Sequence, residues 1–255
     1  MSDNLAVQSL HRAFDILEAI GNSITPASLK QITESTGLPK STVYRLISNL
    51  EERDYVRCDN NGKYRLGFQL FMMSQWAEKD FEIKRVAKTF LESLNQFTKE
   101  TVHLSILGKN RVIYVDSVES PHALRLVAKL GSTNSVHCTA LGKVLLLKHS
   151  DEEICRIIAE QGMEKRTEYT LCTPADYLRE MAVVRKQGYA LDNRESEMDS
   201  RCVGAPIYDN TGKVVAAISI SGLATRFSYD FIVKEVVSQL LESTGRISQV
   251  LGYID

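Results

Sequence analysis

The sequence predicts an α+β fold: an N-terminal winged helix-turn-helix domain, a linker helix, and a C-terminal α/β domain whose mainly antiparallel sheet is covered by helices. Three observations favour this fold class. Two helical segments are joined by only Gly37, Leu38 and Pro39, a strand-turn-strand pattern follows at residues 55–67, and strand-like segments adjacent in sequence alternate with helical ones after residue 100.

Length and composition set the bounds of what this protein can be. The chain has 255 residues and a formal net charge of −1, with 44% hydrophobic and 25% charged residues. These values allow one large or two modest domains and exclude a globally basic nucleic-acid coat, although not a local basic surface. The five cysteines form no CxxC pair, which favours reduced thiols. No secretory segment or membrane-length apolar run is present, so we expect a cytoplasmic protein without a membrane partner.

The first two helices are predicted from apolar spacing and end signals. The segment AVQSLHRAFDILEAIGN predicts an amphipathic helix that stops at Gly21-Asn22 and has five apolar residues near helical spacing: Val7, Leu10, Phe14, Leu17 and Ile20. The segment PASLKQITESTG predicts a short helix with Pro26 in its first turn, Leu29 and Ile32 directed inward, and Gly37 at its end. The short connection to the next helix predicts the sharp crossing of a helix-turn-helix.

The stretch GLPKSTVYRLISNLEERDYV carries the third helix, predicted over residues 40–52. Its buried stripe is Val43, Leu46, Ile47 and Leu50, at i, i+3, i+4 and i+7. For an isolated helix, the alternative is that Ser41 is an N-cap and Arg45 a solvated surface residue. The preceding short helix and the trailing hairpin favour contact with a double-stranded DNA operator instead. The predicted DNA-binding residues are Lys40, Ser41, Thr42, Tyr44, Arg45 and Ser48 on the helix and Lys63 and Arg65 on the wing.

Beyond the wing, the sequence predicts a linker helix from Phe68 to about Ala87 and two domains, residues 1–78 and 79–255. The next helix is predicted to bury Ile83, Val86, Phe90, Leu91, Leu94 and Phe97. Strands are predicted on both sides of a turn at 108–110, in ALRLVAKLG with Leu124, Leu126, Ala128 and Leu130 alternating, and in a hairpin that turns at 209–212. Helices are predicted at 140–149, 151–161, 174–187 and 230–251, the last with Val233, Val236, Val237, Leu240 and Leu241 inward.

Several of these segments resemble one family of bacterial proteins. SLHRAFDILEAI, TGLPKSTVYRLISNLEERDYV and the wing ending YRLG are similar to the N-terminal domain of the IclR family of transcriptional regulators. LGSTNSVHCTALGKVLL, GYALDNRESEMDSRCVGAPIYD and VVAAISISG resemble the effector-binding domain of that family, so the resemblance covers nearly the whole chain. Within the family, the chain is similar to regulators of sugar-acid catabolism of the ketodeoxygluconate-repressor type.

The resemblance implies a small-molecule pocket lined by Ala140, Leu141, Asp192, Cys202, Ser219 and Ser221, and we expect Leu126 to add an apolar wall. The residue chemistry agrees with this expectation. Backbone N–H groups near residues 140–142 open a helix and can hold a carboxylate, while Ser219 and Ser221 alternate along one strand and share a face. Asp192 can accept hydrogen bonds from ligand hydroxyls, so a hydroxylated carboxylic acid suits both ends of the pocket. We expect the effector to be a small hydroxy or keto acid, a class that includes sugar acids. The two serines can equally be buried hydroxyls that bond neighbouring backbone.

Other chemistries have weaker support in the sequence. His137, Cys138, Cys202 and His103 match no usual zinc spacing, so we expect no metal and no cofactor. A thiol-dependent enzyme would need a base placed beside Cys202, and the spacing indicates none; no catalytic residue is predicted. A third alternative is a small-molecule-binding protein-interaction module without DNA binding, which high salt would not weaken as it weakens DNA binding.

An aromatic cluster in the linker region, Phe68, Phe71, Met73 and Trp76, indicates self-association. A single winged helix buries too little DNA surface for tight specificity, whereas a dimer reads paired half-sites. The sequence therefore predicts a homodimer, and the family resemblance implies a dimer of dimers as well. Whether binding represses or activates stays open at this point.

Overall fold

The computed structural model describes residues 7–79 and 82–254 of the chain. Its contacts divide the chain into two compact units, residues 1–81 and 82–255, each with its own core. The predicted domain ranges 1–78 and 79–255 stay a prediction. No helix within the described ranges is both long and apolar enough for a bilayer crossing.

The N-terminal unit is a winged helix-turn-helix, as predicted. Its elements are α1 (Gln8–Gly21), β1 (Ala27–Ser28), α2 (Leu29–Thr36), α3 (Lys40–Glu52), β2 (Val56–Cys58), β3 (Lys63–Leu66) and α4 (Phe68–Lys79). The three strands form an antiparallel sheet in the order β1-β3-β2. Gly37 ends α2 in the left-handed conformation (φ 66°), which glycine adopts without steric cost, and α3 begins three residues later.

The start of α2 differs from the prediction. Pro26 lies outside the helix, and Ala27 and Ser28 form a short strand paired with β3. Ser28 and Gln31 form a capping box: the Ser28 hydroxyl accepts from the Gln31 amide, and the Gln31 side chain accepts from the Ser28 amide at 2.8 Å. This reciprocal cap satisfies the amides of Ser28 and Gln31, so the helix begins after Ser28 rather than at the proline.

Apolar residues of the N-terminal unit divide into a core and an exposed set. The core contains Ile16, Ile20, Ile32, Val43, Ile47 and Val56. Leu10 and Phe14 of α1 are about half exposed, and so are Phe68, Phe71 and Trp76 of α4. The predicted face of α1 is therefore apolar along its length, but only its C-terminal half is covered within this unit.

The C-terminal unit combines a sheet with helices. Its elements are α5 (Glu82–Thr98), β4 (Thr101–Gly108), β5 (Arg111–Val118), β6 (Thr133–Asn134), α6 (Ala140–Leu145), α7 (Asp151–Gln161), α8 (Pro174–Gln187), β7 (Ala190–Asn193), β8 (Ser200–Tyr208), β9 (Val214–Leu223), α9 (Tyr229–Phe231), a π-helical turn (Ile232–Val236) and α10 (Val237–Val250). The sheet order is β6-β5-β4-β9-β8-β7, with every neighbouring pair antiparallel. The fold class is the one the sequence predicts.

The two faces of this sheet pack against different helices. One face, with Leu104, Val203 and Ile220, packs with α5 and α10 into one core. The other face, with Val112, Tyr114 and Ala217, packs with α6, α7 and α8 into a second core. Because side chains alternate along a strand, residues 101, 103 and 105 of β4 share the second face with residues 219 and 221 of β9.

Four local predictions for this unit are corrected. Residues 122–130 form a loop, because the short β6 occupies the edge beside β5; Leu124 is 74% exposed and Leu126 half-buried. Phe97, near the end of α5, is 45% exposed and not buried. The π-helical turn inserts a residue into the terminal helix, so Ile232 and Val236 face the core and Val233 faces outward. Helix α6 ends at Leu145, short of the predicted residue 149.

Candidate DNA interface and effector cleft

Helix α3 separates a buried stripe from a polar face. Val43 and Ile47 are fully buried, and Leu46 and Leu50 pack against the same core. Lys40, Ser41, Tyr44, Arg45 and Ser48 are exposed, whereas Thr42 is only partly so. The predicted DNA-contacting residues of α3 thus lie on the face opposite to the one that packs against the core.

The first turn of α3 has no side-chain cap, although the amides of Thr42 and Val43 already donate to the Pro39 carbonyl. Pro39 is the N-cap residue, and no side chain within the described ranges caps this helix. The alternative in which Ser41 is the N-cap is therefore wrong, since Ser41 lies inside the first turn. Uncapped N–H groups at a helix N-terminus suit a phosphate oxygen.

The two cationic residues predicted for the wing are accessible to solvent. Lys63 and Arg65 are exposed on β3, and Asp59 shapes the turn by accepting from the amides of Asn61 and Lys63. A third cation, Arg57, lies opposite Arg65 on β2 but is bound by Asp54, with Nε 2.6 Å from Oδ1 and Nη2 3.0 Å from Oδ2. This pair lowers the pKa of the Asp54 carboxyl through its hydrogen bond with Arg57. Arg57 is therefore paired directly with a carboxylate, whereas Arg65 forms no ion pair with another described residue and acts on Asp59 only through its charge.

A cleft of about 670 Å³ opens on the second face of the C-terminal sheet. Three predicted effector residues line it: Leu126, Cys202 and Ser221. Cys202 and Ser221 are cross-strand partners, and Asp192 is the partner of Cys202 on the other side. The sheet thus aligns residues from three separated segments in one row.

Asp192 organises a loop instead of facing the cleft. Its side chain is nearly fully buried, and its carboxylate accepts from the Glu195 amide at 2.8 Å, the Ser196 amide at 3.2 Å and the Ser196 hydroxyl. Burial raises the pKa of this carboxyl, while these hydrogen bonds act in the opposite direction. Any effect of Asp192 on a ligand would therefore pass through Ser196, which does line the cleft.

Helix α6 is pressed against the sheet, so Ala140 and Leu141 are buried away from the cleft lining. The Thr139 hydroxyl already accepts from the Gly142 amide at 3.1 Å. A Cβ on Gly142 would come within 2.3 Å of the Val136 backbone, and one on Gly204 within 3.2 Å of the Ala140 carbonyl. At the start of α6, the Gly142 amide is therefore already bonded, while the role of Ala140 and Leu141 in ligand binding stays a prediction.

Helix α6 also contributes a buried cation, Lys143. Its ammonium group donates to Glu195 Oε1 at 2.6 Å, to the Leu191 carbonyl at 2.8 Å and to Glu180 Oε1 at 3.3 Å. Burial raises the pKa of Glu195 to about 7, with the Lys143 charge opposing that rise. This cluster ties α6 to β7, α8 and the loop that follows β7.

The cleft includes polar residues that the sequence interpretation did not select: His103, Tyr114, Asn134 and Arg166. His103 lies on β4 opposite Ser219, and its ring meets the Tyr114 ring edge-on at 5.1 Å. Side chains alternate between the two faces along TVHLS. This pattern places His103 on the same sheet face as Ser219, but only when β4 is known to pair with β9. Arg166 lies in a loop with no motif, and no sequence signal indicated it.

The buried thiols are poorly suited to nucleophilic chemistry. Burial raises the pKa of Cys138 to about 11 and that of Cys202 further still. A reactive cysteine requires the opposite shift. Within the described residues, no group of three His, Cys, Asp or Glu side chains is arranged to hold a metal ion.

An exposed recognition helix with a wing, followed by a ligand-sized cleft in a separate unit, defines a ligand-responsive DNA-binding regulator. The IclR helix-turn-helix domain matches residues 9–60, and the C-terminal domain of bacterial IclR transcriptional regulators matches residues 76–249. The chain belongs to the IclR family of transcriptional regulators, which are not enzymes.

Individual relatives align over almost their full length. The transcriptional regulator KdgR of Dickeya chrysanthemi is 32% identical over 251 residues, covering 98% of this chain and 82% of KdgR. XynR of Escherichia coli K12 is also 32% identical, covering 97% and 98%. The crystal structure of Thermotoga maritima IclR is 32% identical with a TM-score of 0.78, covering 97% of this chain and all of that one. Because the chain is 32% identical to both KdgR and XynR, the comparison does not identify it with either of them.

Proposed function

We propose that this regulator binds a double-stranded DNA operator through α3 and the wing, and that a small carboxylate effector in the cleft controls operator affinity. The effector class is a hydroxy or keto acid, a class that includes sugar acids. The observation that carries the proposal is the pairing of an α3 that has an exposed basic face and no side-chain cap with a polar cleft in the C-terminal unit.

The DNA contacts are proposed residue by residue. Arg45 and Tyr44 would reach base edges or phosphates, Lys40 and Ser41 a phosphate at the helix N-terminus, and Lys63 with Arg65 the backbone beside the wing. Thr42 and Ser48 flank this face. The Ser48 hydroxyl donates to the Tyr44 carbonyl at 3.0 Å, which leaves its lone pairs as acceptors.

The effector contacts fall into two groups. Leu126, Cys202 and Ser221 are proposed to touch the ligand directly, since they line the cleft. Asp192, Ala140, Leu141 and Ser219 are proposed to shape its walls from behind, since they are buried beside it. A carboxylate is favoured as the anionic group because Arg166 and Lys129 offer cations along the lining.

A homodimer, or a dimer of dimers, is the proposed assembly. Helices α1 and α4 carry apolar surface that an interface between protomers would remove from water. The half-exposed side chains that form this surface are Leu10, Phe14, Phe68, Phe71 and Trp76. Two recognition helices in one assembly would read a repeated half-site. The cytoplasm is the proposed location.

The experiment is an operator titration on the full chain, with and without small hydroxy and keto acids. Arg45→Ala is expected to weaken binding by about 1–3 kcal/mol, because its side chain points away from the buried stripe. Arg246→Ala, an exposed change on α10, is the control and should leave operator affinity unaltered. Unaltered affinity of Arg45→Ala would contradict the proposed DNA face, and a response to none of the acids would contradict the proposed effector class.

A further inference from the structure

Arg201 of β8 is a buried cation without a carboxylate partner among the described residues. It is 8% exposed, and its guanidinium donates through Nε to Asn193 Oδ1 at 2.8 Å and through Nη1 to the carbonyls of Ala224 and Phe227 at 3.2 and 2.8 Å. Lys143, the other buried lysine or arginine of the described ranges, bonds two carboxylates instead. A buried charge is costly unless an opposite charge compensates it, so Arg201 indicates a missing anion.

A second unpaired cation, Arg194, lies beside Arg201 in the hairpin that joins β7 to β8. The Arg194 amide donates at 3.2 Å to the carbonyl of Ser200, the residue before Arg201. Its guanidinium forms no hydrogen bond or ion pair with another described residue, although Nε is buried. Burial lowers the pKa of Arg201, and the Arg194 charge lowers it further. Two like charges therefore act on each other here, and a shared anion would offset their repulsion.

The backbone that carries Arg194 is tightly constrained. Arg194 has a left-handed conformation (φ 67°), which is uncommon for a residue with a side chain. Its carbonyl accepts from the Thr167 hydroxyl at 2.6 Å, and the Asp192 carboxylate accepts from the amides of the next two residues, Glu195 and Ser196. The position of the unpaired guanidinium is thus set by the surrounding structure, as at many ligand clamps.

One carboxylate lies close to this pair of arginines and is already bound. Gly222 is the cross-strand partner of Arg201, and a Cβ on Gly222 would lie 2.7 Å from the Glu100 side chain. Arg226 binds both oxygens of Glu100, with Nη2 2.8 Å from Oε2. Three arginines thus stand against the single charge of Glu100, so two positive charges stay uncompensated.

The arginine pair is separate from the effector cleft. Cys202 lines the cleft, so alternation along β8 directs Arg201 to the other face of the sheet, where it bonds the carbonyl of Phe227 in the first core. The remaining acidic residues of the hairpin loop, Glu197 and Asp199, line the cleft. A ligand of the arginine pair would therefore occupy a different site from a ligand in the cleft.

The pair still has hydrogen-bond donors to offer. Asn193 is exposed, and since its Oδ1 accepts from Arg201, its amide nitrogen is left to donate. Nη2 of Arg201 bonds no acceptor among the described residues. Together with the Arg194 guanidinium, these N–H groups suit the oxygens of a phosphate group, which guanidinium groups bind through paired, charge-assisted hydrogen bonds.

We propose that the hairpin between β7 and β8 holds a second ligand site, in which Arg194, Arg201 and the Asn193 amide bind a phosphate group. A phosphate dianion compensates both arginines, whereas a carboxylate would leave one of them unpaired. The group belongs either to inorganic phosphate or to a small phosphorylated metabolite. This inference goes beyond the proposed function, since neither operator binding nor the carboxylate cleft requires it.

The test is calorimetric titration of the full chain with inorganic phosphate, glycerol 3-phosphate and acetate, at constant ionic strength and about pH 8, where the phosphate group is doubly charged. The wild type is expected to bind phosphate or its ester at least about tenfold more tightly than acetate, because the second charge adds a charge-assisted contact. Tighter binding of the ester would identify a phosphorylated metabolite as the ligand, and tighter binding of phosphate the free ion.

The variants locate the site. Arg194→Gln should weaken phosphate binding at least about tenfold, because it removes one of the two charges. Arg194→Glu should abolish binding and, by pairing with Arg201, raise the melting temperature in phosphate-free buffer. Lys186→Glu makes the same charge change at an exposed position of α8 and should do neither. Arg45→Ala and Arg166→Gln remove cations from the DNA face and the cleft, and both should bind phosphate as the wild type does.

Four results would overturn the site. They are binding of phosphate and ester weaker than about 10 mM, wild-type affinity in Arg194→Gln, loss of phosphate binding in Arg45→Ala or Arg166→Gln, and an Arg194→Glu variant that melts no higher than the wild type. The third result would assign phosphate to the DNA face or the cleft. The fourth would show that the Arg201 charge is already compensated.

Discussion

The ammonium group of Lys143 lies 2.6 Å from Oε1 of Glu195, and both side chains are buried beneath the effector cleft. Lys143 is completely excluded from solvent, with the Leu191 carbonyl and Glu180 as its other acceptors. Glu195 precedes Ser196, a lining residue of the cleft. The pair therefore joins α6 to the loop that forms one wall of the ligand site.

Removal of one partner of this pair should be costly. Lys143→Met is expected to lower the free energy of unfolding of the C-terminal unit by about 3–5 kcal/mol, because it leaves a buried carboxylate uncompensated. Urea denaturation followed by circular dichroism measures this loss. Lys186→Met, at an exposed position of α8, is the control and should cost less than about 0.5 kcal/mol. Equal losses in the two variants would contradict the role of the pair.

The buried His103 should make stability depend on pH. Burial lowers the pKa of its imidazole from 6.5 to about 4, despite the opposing charge of Glu119. The unfolded state then binds more protons between these values, so stability is present above pH 6.5 and is lost as pH falls toward 4. The loss is about 3 kcal/mol for a shift of this size.

The difference in unfolding free energy between wild type and His103→Asn isolates this contribution, since Glu195 and His137 titrate in both proteins. We expect the difference to shrink as pH falls from 6.5 to 4.5 in urea titrations. A difference that stays constant over that range would show that His103 is not desolvated.

The two wing arginines should differ in DNA binding. Arg65→Ala is expected to lower the slope of log affinity against log salt by about 1, because it removes one phosphate contact. Arg57→Ala should leave the slope close to that of the wild type, since Asp54 already neutralises Arg57. Fluorescence anisotropy with operator DNA at several salt concentrations measures both slopes. The same change of slope in both variants would contradict this distinction.

Val43 tests the packing behind the recognition helix. Val43→Asp is expected to unfold the N-terminal unit, because Val43 is fully buried and the new carboxylate would have no partner. Hydrogen exchange of α1 to α3 should show loss of protection, together with loss of operator binding. Asn49→Asp adds the same charge at an exposed position of α3 and should preserve protection. Retained protection in Val43→Asp would refute the buried stripe.

Trp76 tests the proposed assembly. Its side chain is 55% exposed on α4, in the apolar set that we propose as an oligomer contact. Trp76→Ala is expected to shift sedimentation at micromolar concentration toward smaller species, because an exposed aromatic contributes a large contact area to an interface. A wild type that sediments as a monomer and still binds operator tightly would contradict the dimer.

Much of the N-terminal unit was predictable from sequence because its signals are local. The bounds of α3 at Lys40 and Glu52 match the predicted range, since the apolar period and the preceding Gly37-Leu38-Pro39 turn define both ends. The wing turn also lies where Asp59 to Gly62 predict it. The start of α2 was missed because a capping box between Ser28 and Gln31 competes with the proline signal.

The effector cleft was predictable only in part. Sequence resemblance selected Cys202 and Ser221, which line it, and also Asp192 and Ala140, which lie buried beside it. Alternation alone made residues 124–130 look like a strand, although the edge they would occupy is held by β6. Neither error can be recognised from the sequence alone, because both depend on which strands are neighbours in the sheet.

The sequence by itself determined the helix periods and the turns, because each depends on residues a few positions apart, and its resemblance to one family over nearly the whole chain indicated the class of protein. Only the tertiary structure decided which side chains meet in the cleft. His103, Arg166 and Cys202 are far apart along the chain, and they meet because β4 pairs with β9, β9 with β8, and the loop before α8 covers that face. Such long-range contacts depend on the packing of the whole sheet, and a local sequence pattern cannot predict them.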